Sequence, residues 1–413
     1  MVKINFDVKK NKLENGLEVI TIKKDTQISS INIGVKVGAL NESLNEKGIS
    51  HYIEHMLFKG TENRTFQKLN DDLEALGGEY NAYTDFSQTV YSISCLEEEL
   101  KSAIEILSDM LICSKFPEEE IEKERGVILA EIRSSKDSVE DFSFKKINEV
   151  AFKKSSLRYD VAGLDENVKS FTKKELYDYY KKYYIPNNSL ITMVSSLSHE
   201  EAFEEISKHF SKWESNEKIK LVVKDEKNIN IKKVTTKENI ELCTIIYLFT
   251  FYDLDKNYEL PLRILNHRLG ESANSLLFRE VRENRGLAYD IYSHLDITQN
   301  VRTLYVYTAV DEEDIDDAAN AIEEIFKNIK FRNITIGEND LNIMKKVHKT
   351  AVISTLEDSV ELCSYILSQS LEGEDIFEFL KDMDRLNTIT ADEIYEVANK
   401  VLNDPTIHIL KSS

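Results

Sequence analysis

Chain breakers are scarce in this sequence: 13 glycines and 4 prolines in 413 residues. With 41% hydrophobic and 31% charged positions, it reads as a soluble globular protein. Positive charge is also short. Lys and Arg number 53 against 74 Asp and Glu, a formal net charge of -21. That argues against DNA, RNA or an anionic membrane as a partner, because phosphate-rich surfaces would repel the chain. Cysteine is sparse and shows no paired spacing. Cys95, Cys113, Cys243 and Cys363 each sit among apolar residues, a context that favours small buried hydrophobes over disulfides or metal ligands. The opening MVKINFDVKKNKLENG lacks an apolar signal core, and no run approaches membrane-spanning length. The expected location is the cytoplasm.

What the chain does have is length and internal repetition. At 413 residues it exceeds one ordinary core, so two or more domains are expected. GGEYNAY from Gly77 lines up with GLAYDIY from Gly286, and each precedes an alternating strand pattern, at Thr89 and at Thr303. An acidic helix start and two helices follow in both halves. Both end on a capped helix, a proline and a closing strand, FTKKELYDYYKKYYIPNNSLITMVSS and ITADEIYEVANKVLNDPTIHILKSS. The fold class expected is α+β: two tandem homologous domains, each a mainly antiparallel sheet covered by helices. The boundaries are 1–220 and 221–413, joined by the polar stretch 214–230.

One stretch of the first half stands out. GISHYIEHMLFK places His51 and His55 four apart, one above the other on a helix, with Glu54 beside them. Two readings stay open for these residues alone: a polar helical stripe, or a pair of zinc ligands in the His-x-x-Glu-His order. A zinc site needs a third protein ligand. In the helix PEEEIEKERGVILAEIRSSKD, the early acids suit the positive end of the helix dipole. Glu131 instead is expected on the buried face near Val127, Ile128 and Ile132, where a carboxylate is costly unless paired or metal-bound. Glu124, two turns earlier on that stripe, would brace a ligand. The second half matches neither part. It keeps only His267 in LRILNHRLG, which reads as a filler, and has no acids in LNIMKKVHKTAVI.

These residues together resemble the insulinase/pitrilysin family of inverzincin metallopeptidases, in its two-domain branch similar to the mitochondrial processing peptidase. The resemblance runs over nearly the whole chain, through GISHYIEHMLFKGT, GGEYNAYTDFSQTVY, EKERGVILAEI and LFREVRENRGLAY. It implies one zinc per chain on His51, His55 and Glu131, with Glu124 in support and Glu54 as general base. Asn81 and Ala82 would lie on an edge strand that pairs with an extended peptide substrate. Phe58 would line a pocket after the scissile bond, or else belong to the core. Arg282 and Tyr289 match the family pair that reaches substrate from the C-terminal domain; without the family they read as a surface ion pair and a half-buried strand tyrosine.

The implied activity is zinc-dependent hydrolysis of short or unfolded peptides inside a dimeric chamber, by a general oligopeptidase or a precursor-processing enzyme. Glu54 would take a proton from zinc-activated water and pass it to the leaving amine, with Tyr289 bonding the oxyanion. The implied assembly is a homodimer, or a heterodimer with a paralogue. The alternative function is a non-catalytic peptide-binding or structural subunit paired with an active paralogue. LGESANSLLF, where the family often has a glycine run, and SSLRYDVAGLDENV both depart from the family pattern. Those departures bear on substrate choice.

Overall fold

A computed structural model describes residues 5–217, 223 and 225–413. Alternating apolar positions in the first half form six strands: β1 (Phe6–Lys12), β2 (Glu18–Lys24), β3 (Ile28–Val35), β4 (Glu79–Thr84), β5 (Thr89–Leu96) and β6 (Ser189–Ser195). They make one sheet in the order β1-β2-β6-β3-β5-β4. Only β2 and β6 run parallel; the other neighbours are antiparallel. The second half supplies β7 (Ile231–Lys237), β8 (Cys243–Thr250), β9 (Asp290–Ile297), β10 (Arg302–Val310) and β11 (Thr406–Ser412), in the order β7-β11-β8-β10-β9. Here the parallel pair is β7 with β11. Removing β1 from the first sheet leaves the same order and the same directions, so the expected duplication is realised strand for strand.

The chain forms two compact units, each assembled from three stretches. The first comprises 1–133, 160–222 and 352–378; the second comprises 134–159, 223–351 and 379–413. Each sheet is therefore backed by a helix from the other half of the sequence. In the first unit the Ser359–Leu371 helix packs on β3 and β6. Small and polar residues let it approach: Thr192 Oγ1 donates to the Cys363 carbonyl at 3.1 Å, and Asn32 Nδ2 donates to Ser364 Oγ at 3.0 Å. At Gly34 a Cβ would meet Leu371 Cδ1 at 2.5 Å. In the second unit the Val139–Ala151 helix packs on the equivalent strands, β8 and β11. Ser143 and Thr244 hydroxyls lie 2.7 Å apart, Tyr305 donates to Asn148 Oδ1 at 2.8 Å, and Phe144 stacks on Tyr307.

Of the expected linker 214–230, residues 218–222 and 224 lie outside the described residues. Beyond them, Glu226 accepts the backbone N–H groups of Lys153, Lys154 and Ser155, tying this part of the linker into the second unit. Cys95, Cys243 and Cys363 are buried, Cys113 is partly so, and none is bridged. Among the described residues no helix is long and apolar enough to cross a membrane.

Candidate metal centre

The HYIEH stretch forms the helix Ile49–Leu57, and its apolar positions decide how it sits. Ile49, Tyr52, Ile53, Met56 and Leu57 are buried in the core of the first unit. That burial leaves His51, Glu54, His55 and Phe58 as a partly exposed stripe on the other side. Tyr52 carries its hydroxyl to the Ile121 carbonyl at 2.5 Å, fastening this helix to Glu118–Asp137. The helix N-terminus is also held. Glu42 accepts the N–H groups of Gly48 at 3.0 Å and Ser50 at 2.9 Å, satisfying donors that a helix start leaves open. Burial pushes the Glu42 carboxyl up to about 7, against those two bonds and the Lys47 charge.

His51 Nε2 and His55 Nε2 lie 3.3 Å apart, and Glu131 Oε2 is 3.9 Å from the first and 3.6 Å from the second. Bonds of about 2.0–2.2 Å around a tetrahedral zinc place donor atoms roughly 3.3–3.6 Å apart. The donor set fits zinc in chemistry and spacing. Among the described residues it is the only group of three such ligands within mutual reach. Burial, then the neighbouring His55 charge, lowers His51 to about 4, so its ring is held neutral, as a ligand must be. Its Nδ1 is buried without a hydrogen-bond partner.

Glu131 corrects the sequence reading in one respect. The buried stripe of its helix is Ile121, Glu124, Ile128 and Ile132, whereas Val127 is exposed and the Glu131 side chain is 45% exposed. Glu131 reaches the histidines from the open side. The buried carboxylate is Glu124, whose Oε2 pairs with His55 Nδ1 at 2.9 Å and whose Oε1 meets Lys59 Nζ at 2.8 Å. Burial alone would raise the Glu124 carboxyl, but the bonds from His55 and Lys59 outweigh it and hold it below the usual value. Burial would likewise lower His55, yet the Glu124 bond, with Glu131 and Glu54 nearby, raises it. Burial raises Glu54, opposed chiefly by a hydrogen bond from Thr84 Oγ1 to Glu54 Oε2 at 2.7 Å.

The remaining expected residues divide by unit. Asn81 and Ala82 stand on β4, the outermost strand of the first sheet, which among the described residues pairs only with β5. Phe58 is half-buried and packs against the core, with its ring 6.3 Å from that of Tyr80 and 6.2 Å from that of Tyr91. Arg282 and Tyr289 belong to the second unit. Arg282 is exposed with its guanidinium 4.8 Å over the Phe278 ring, and Tyr289 is 72% exposed just before β9, unlike the half-buried strand tyrosine it would be without the family resemblance. His267 sits 3.6 Å from Glu271. Lys59, Thr84 and Glu42 escaped the sequence reading. Lys59 and Thr84 lie inside quoted motifs as polar residues beside apolar ones, and that was their only signal.

Comparison with known proteins identifies the family and the fold. The family model described as Insulinase (Peptidase family M16) matches residues 18–165, and that of the Peptidase M16 inactive domain matches 170–346. An uncharacterized zinc protease of Rickettsia felis is 31% identical over 98% of this chain and 97% of that protein. A probable mitochondrial-processing peptidase subunit beta of Arabidopsis thaliana is 26% identical over 96% of this chain and 76% of that protein. In three dimensions a protease from Helicobacter pylori superposes with a TM-score of 0.92 over 99% of this chain and all (100%) of that one, at 22% identity, a likeness of fold.

Proposed function

The chain belongs to the insulinase family, peptidase family M16, and from that premise we propose that it is a zinc-dependent endopeptidase acting on short or unfolded peptides. The observation that carries the proposal is the convergence of His51 Nε2, His55 Nε2 and Glu131 Oε2, with the Glu54 carboxylate beside them. Zinc held there supplies a Lewis acid that polarises a scissile carbonyl and acidifies water. Glu54 takes the proton of the attacking water on the oxygen that Thr84 does not hold, then returns it to the leaving amine nitrogen. Glu124 and Lys59 hold the His55 ring in its tautomer and orientation. β4 offers the backbone groups of Asn81 and Ala82 to an extended peptide, so main-chain bonding tolerates many sequences. Phe58 and Tyr80 form an aromatic wall for an apolar side chain.

The proposal includes a homodimer in which exposed Arg282 and Tyr289 serve the zinc of a second copy, Tyr289 donating to the developing oxyanion. It also places the protein in the cytoplasm, which the four unbridged thiols suit. Zinc analysis combined with cleavage of a quenched-peptide library tests the function. We expect about one zinc per chain. Chelation should remove cleavage, and Glu54→Gln should lower it by roughly 10²–10⁴ with zinc retained. Zinc-loaded wild type that cleaves nothing in a diverse library would instead indicate a peptide-binding subunit.

A further inference from the structure

We infer that Thr84 is the positioning residue for Glu54: its hydroxyl fixes the carboxylate so that one chosen oxygen remains to move the proton. The inference rests on the peptidase reading for the identity of the reaction; the orientation belongs to the chain itself.

A threonine hydroxyl has one proton to give. Thr84 Oγ1 gives it to Glu54 Oε2 at 2.7 Å, the one hydrogen bond to that carboxylate among the described residues. The nearest competitor is Thr89 Oγ1 at 3.4 Å, but Thr89 is fully buried and spends its own proton on the Val37 carbonyl at 2.9 Å. The direction of the Thr84 bond is thereby settled. Glu54 Oε2 is tied back toward the sheet, and Oε1 is left for water.

Thr84 can hold a flexible glutamate only if it is itself fixed, and its surroundings fix it. It is the last residue of β4, paired with Thr89 across a tight hairpin. Asp85 closes that hairpin by donating its N–H to the Gln88 carbonyl at 2.9 Å, while its side chain accepts the N–H groups of Ser87 and Gln88. The tip is pinned from outside, because Ala39 and Leu40 donate their N–H groups to the Asp85 and Phe86 carbonyls at 3.1 and 2.8 Å. A group held on a rigid element by packing and hydrogen bonds reaches the tolerance that proton transfer demands.

The placement has a functional consequence. Strand alternation puts Tyr80, Ala82 and Thr84 on one face of β4, toward the histidine helix, while the edge of the strand stays unpaired. One short strand then carries both the backbone that a peptide pairs with and the hydroxyl that orients the base. A peptide registered on β4 is registered against Glu54.

The test separates the hydroxyl from the shape of the side chain. Thr84→Val keeps the shape and deletes the donor, Thr84→Ala deletes both, and Thr84→Ser keeps the donor. We expect kcat to fall about tenfold or more in Thr84→Val and Thr84→Ala, with KM within about twofold. Thr84→Ser should stay within about threefold of wild type, and zinc content should be unchanged in all three. Crystal structures of the zinc-loaded wild type and Thr84→Val supply a readout independent of activity. Glu54 should hold one orientation in the first and rotate or split in the second; Thr84→Ala serves for this comparison if the valine chain does not fold. An unmoved Glu54 carboxylate in the donor-less chain, or a Thr84→Ser chain as impaired as Thr84→Val, overturns the inference. A wild type that cleaves no peptide would overturn the peptidase reading alone, because the crystallographic comparison still decides Thr84.

Discussion

Lys59 and Glu124 are joined at 2.8 Å, and the other oxygen of the same carboxylate meets His55 Nδ1 at 2.9 Å. A cation four residues beyond the histidine thus reaches it indirectly, through a carboxylate on another helix. With Glu124 almost fully enclosed, Lys59 compensates a charge that burial would otherwise penalise. Removing such a partner weakens the ligand it steadies. Lys59→Met and Glu124→Gln should each reduce zinc affinity about 10–100-fold, measured by competition with a chelating indicator. Affinity unchanged in both would show the relay to be idle.

The start of the histidine helix depends on two glycines crossing. Gly48 has φ +99° and Gly163 φ +89°, and a Cβ on Gly163 would lie 2.3 Å from the Lys47 carbonyl oxygen and 2.4 Å from Gly48 Cα. Neither the left-handed backbone nor the contact admits a side chain. Gly163→Ala should cost about 2 kcal/mol or more of stability in urea denaturation, and it should lower zinc content by displacing the helix. A wild-type denaturation midpoint would refute this.

Stability should fall in acid for a reason remote from the metal centre. His408 on β11 is fully buried, with Nε2 2.9 Å from Thr235 Oγ1 and Nδ1 unpartnered. Burial, then the Lys146 charge, lowers its pKa to about 4, against about 6.5 in an unfolded chain. Between those values the unfolded chain binds a proton that the folded chain refuses. The stabilisation is therefore complete above about pH 6.5 and is lost as pH falls toward 4, at up to about 1.4 kcal/mol per pH unit. His408→Gln should flatten this part of the curve of unfolding free energy against pH. Parallel curves for the two proteins would exclude His408 as the cause.

The two-copy arrangement has a numerical signature. If Tyr289 serves the zinc of the partner, a Glu54→Gln chain mixed with a Tyr289→Phe chain restores one complete site in each mixed dimer. Equal mixing makes about half of the dimers mixed, so about a quarter of wild-type activity should return. No recovery after mixing is verified by mass spectrometry would place Tyr289 at its own chain's site or outside catalysis.

Spacing along the chain was enough for the histidine helix, for the alternating strands after Thr89 and Thr303 and for the duplication itself, because these follow from local periodicity and repetition; the order of the strands in each sheet came only from the fold. The 3.6-residue period of the Glu118–Asp137 helix was less decisive. That period alone puts Glu131 with Val127 on the buried side, whereas the packed stripe holds Ile128 and Ile132, one position after each, together with Ile121 and Glu124. Where a helix face points depends on which neighbours reach it first, and sequence period leaves that angle loose.

Residue order along the chain was sufficient to recognise a zinc-type helix, to nominate Glu131 as the carboxylate that would meet it, and to read the α+β duplication, since spacing and repetition are one-dimensional properties. Three-dimensional packing alone decided which hydroxyl holds Glu54, which lysine neutralises Glu124, and which helix backs each sheet. Glu54 and Thr84 are 30 positions apart, and His55 and Glu124 are 69 apart. Such partners become neighbours only when a sheet and its helices close around a shared core, and hydrogen bonds of a few ångströms have no trace in the spacing of the residues that make them.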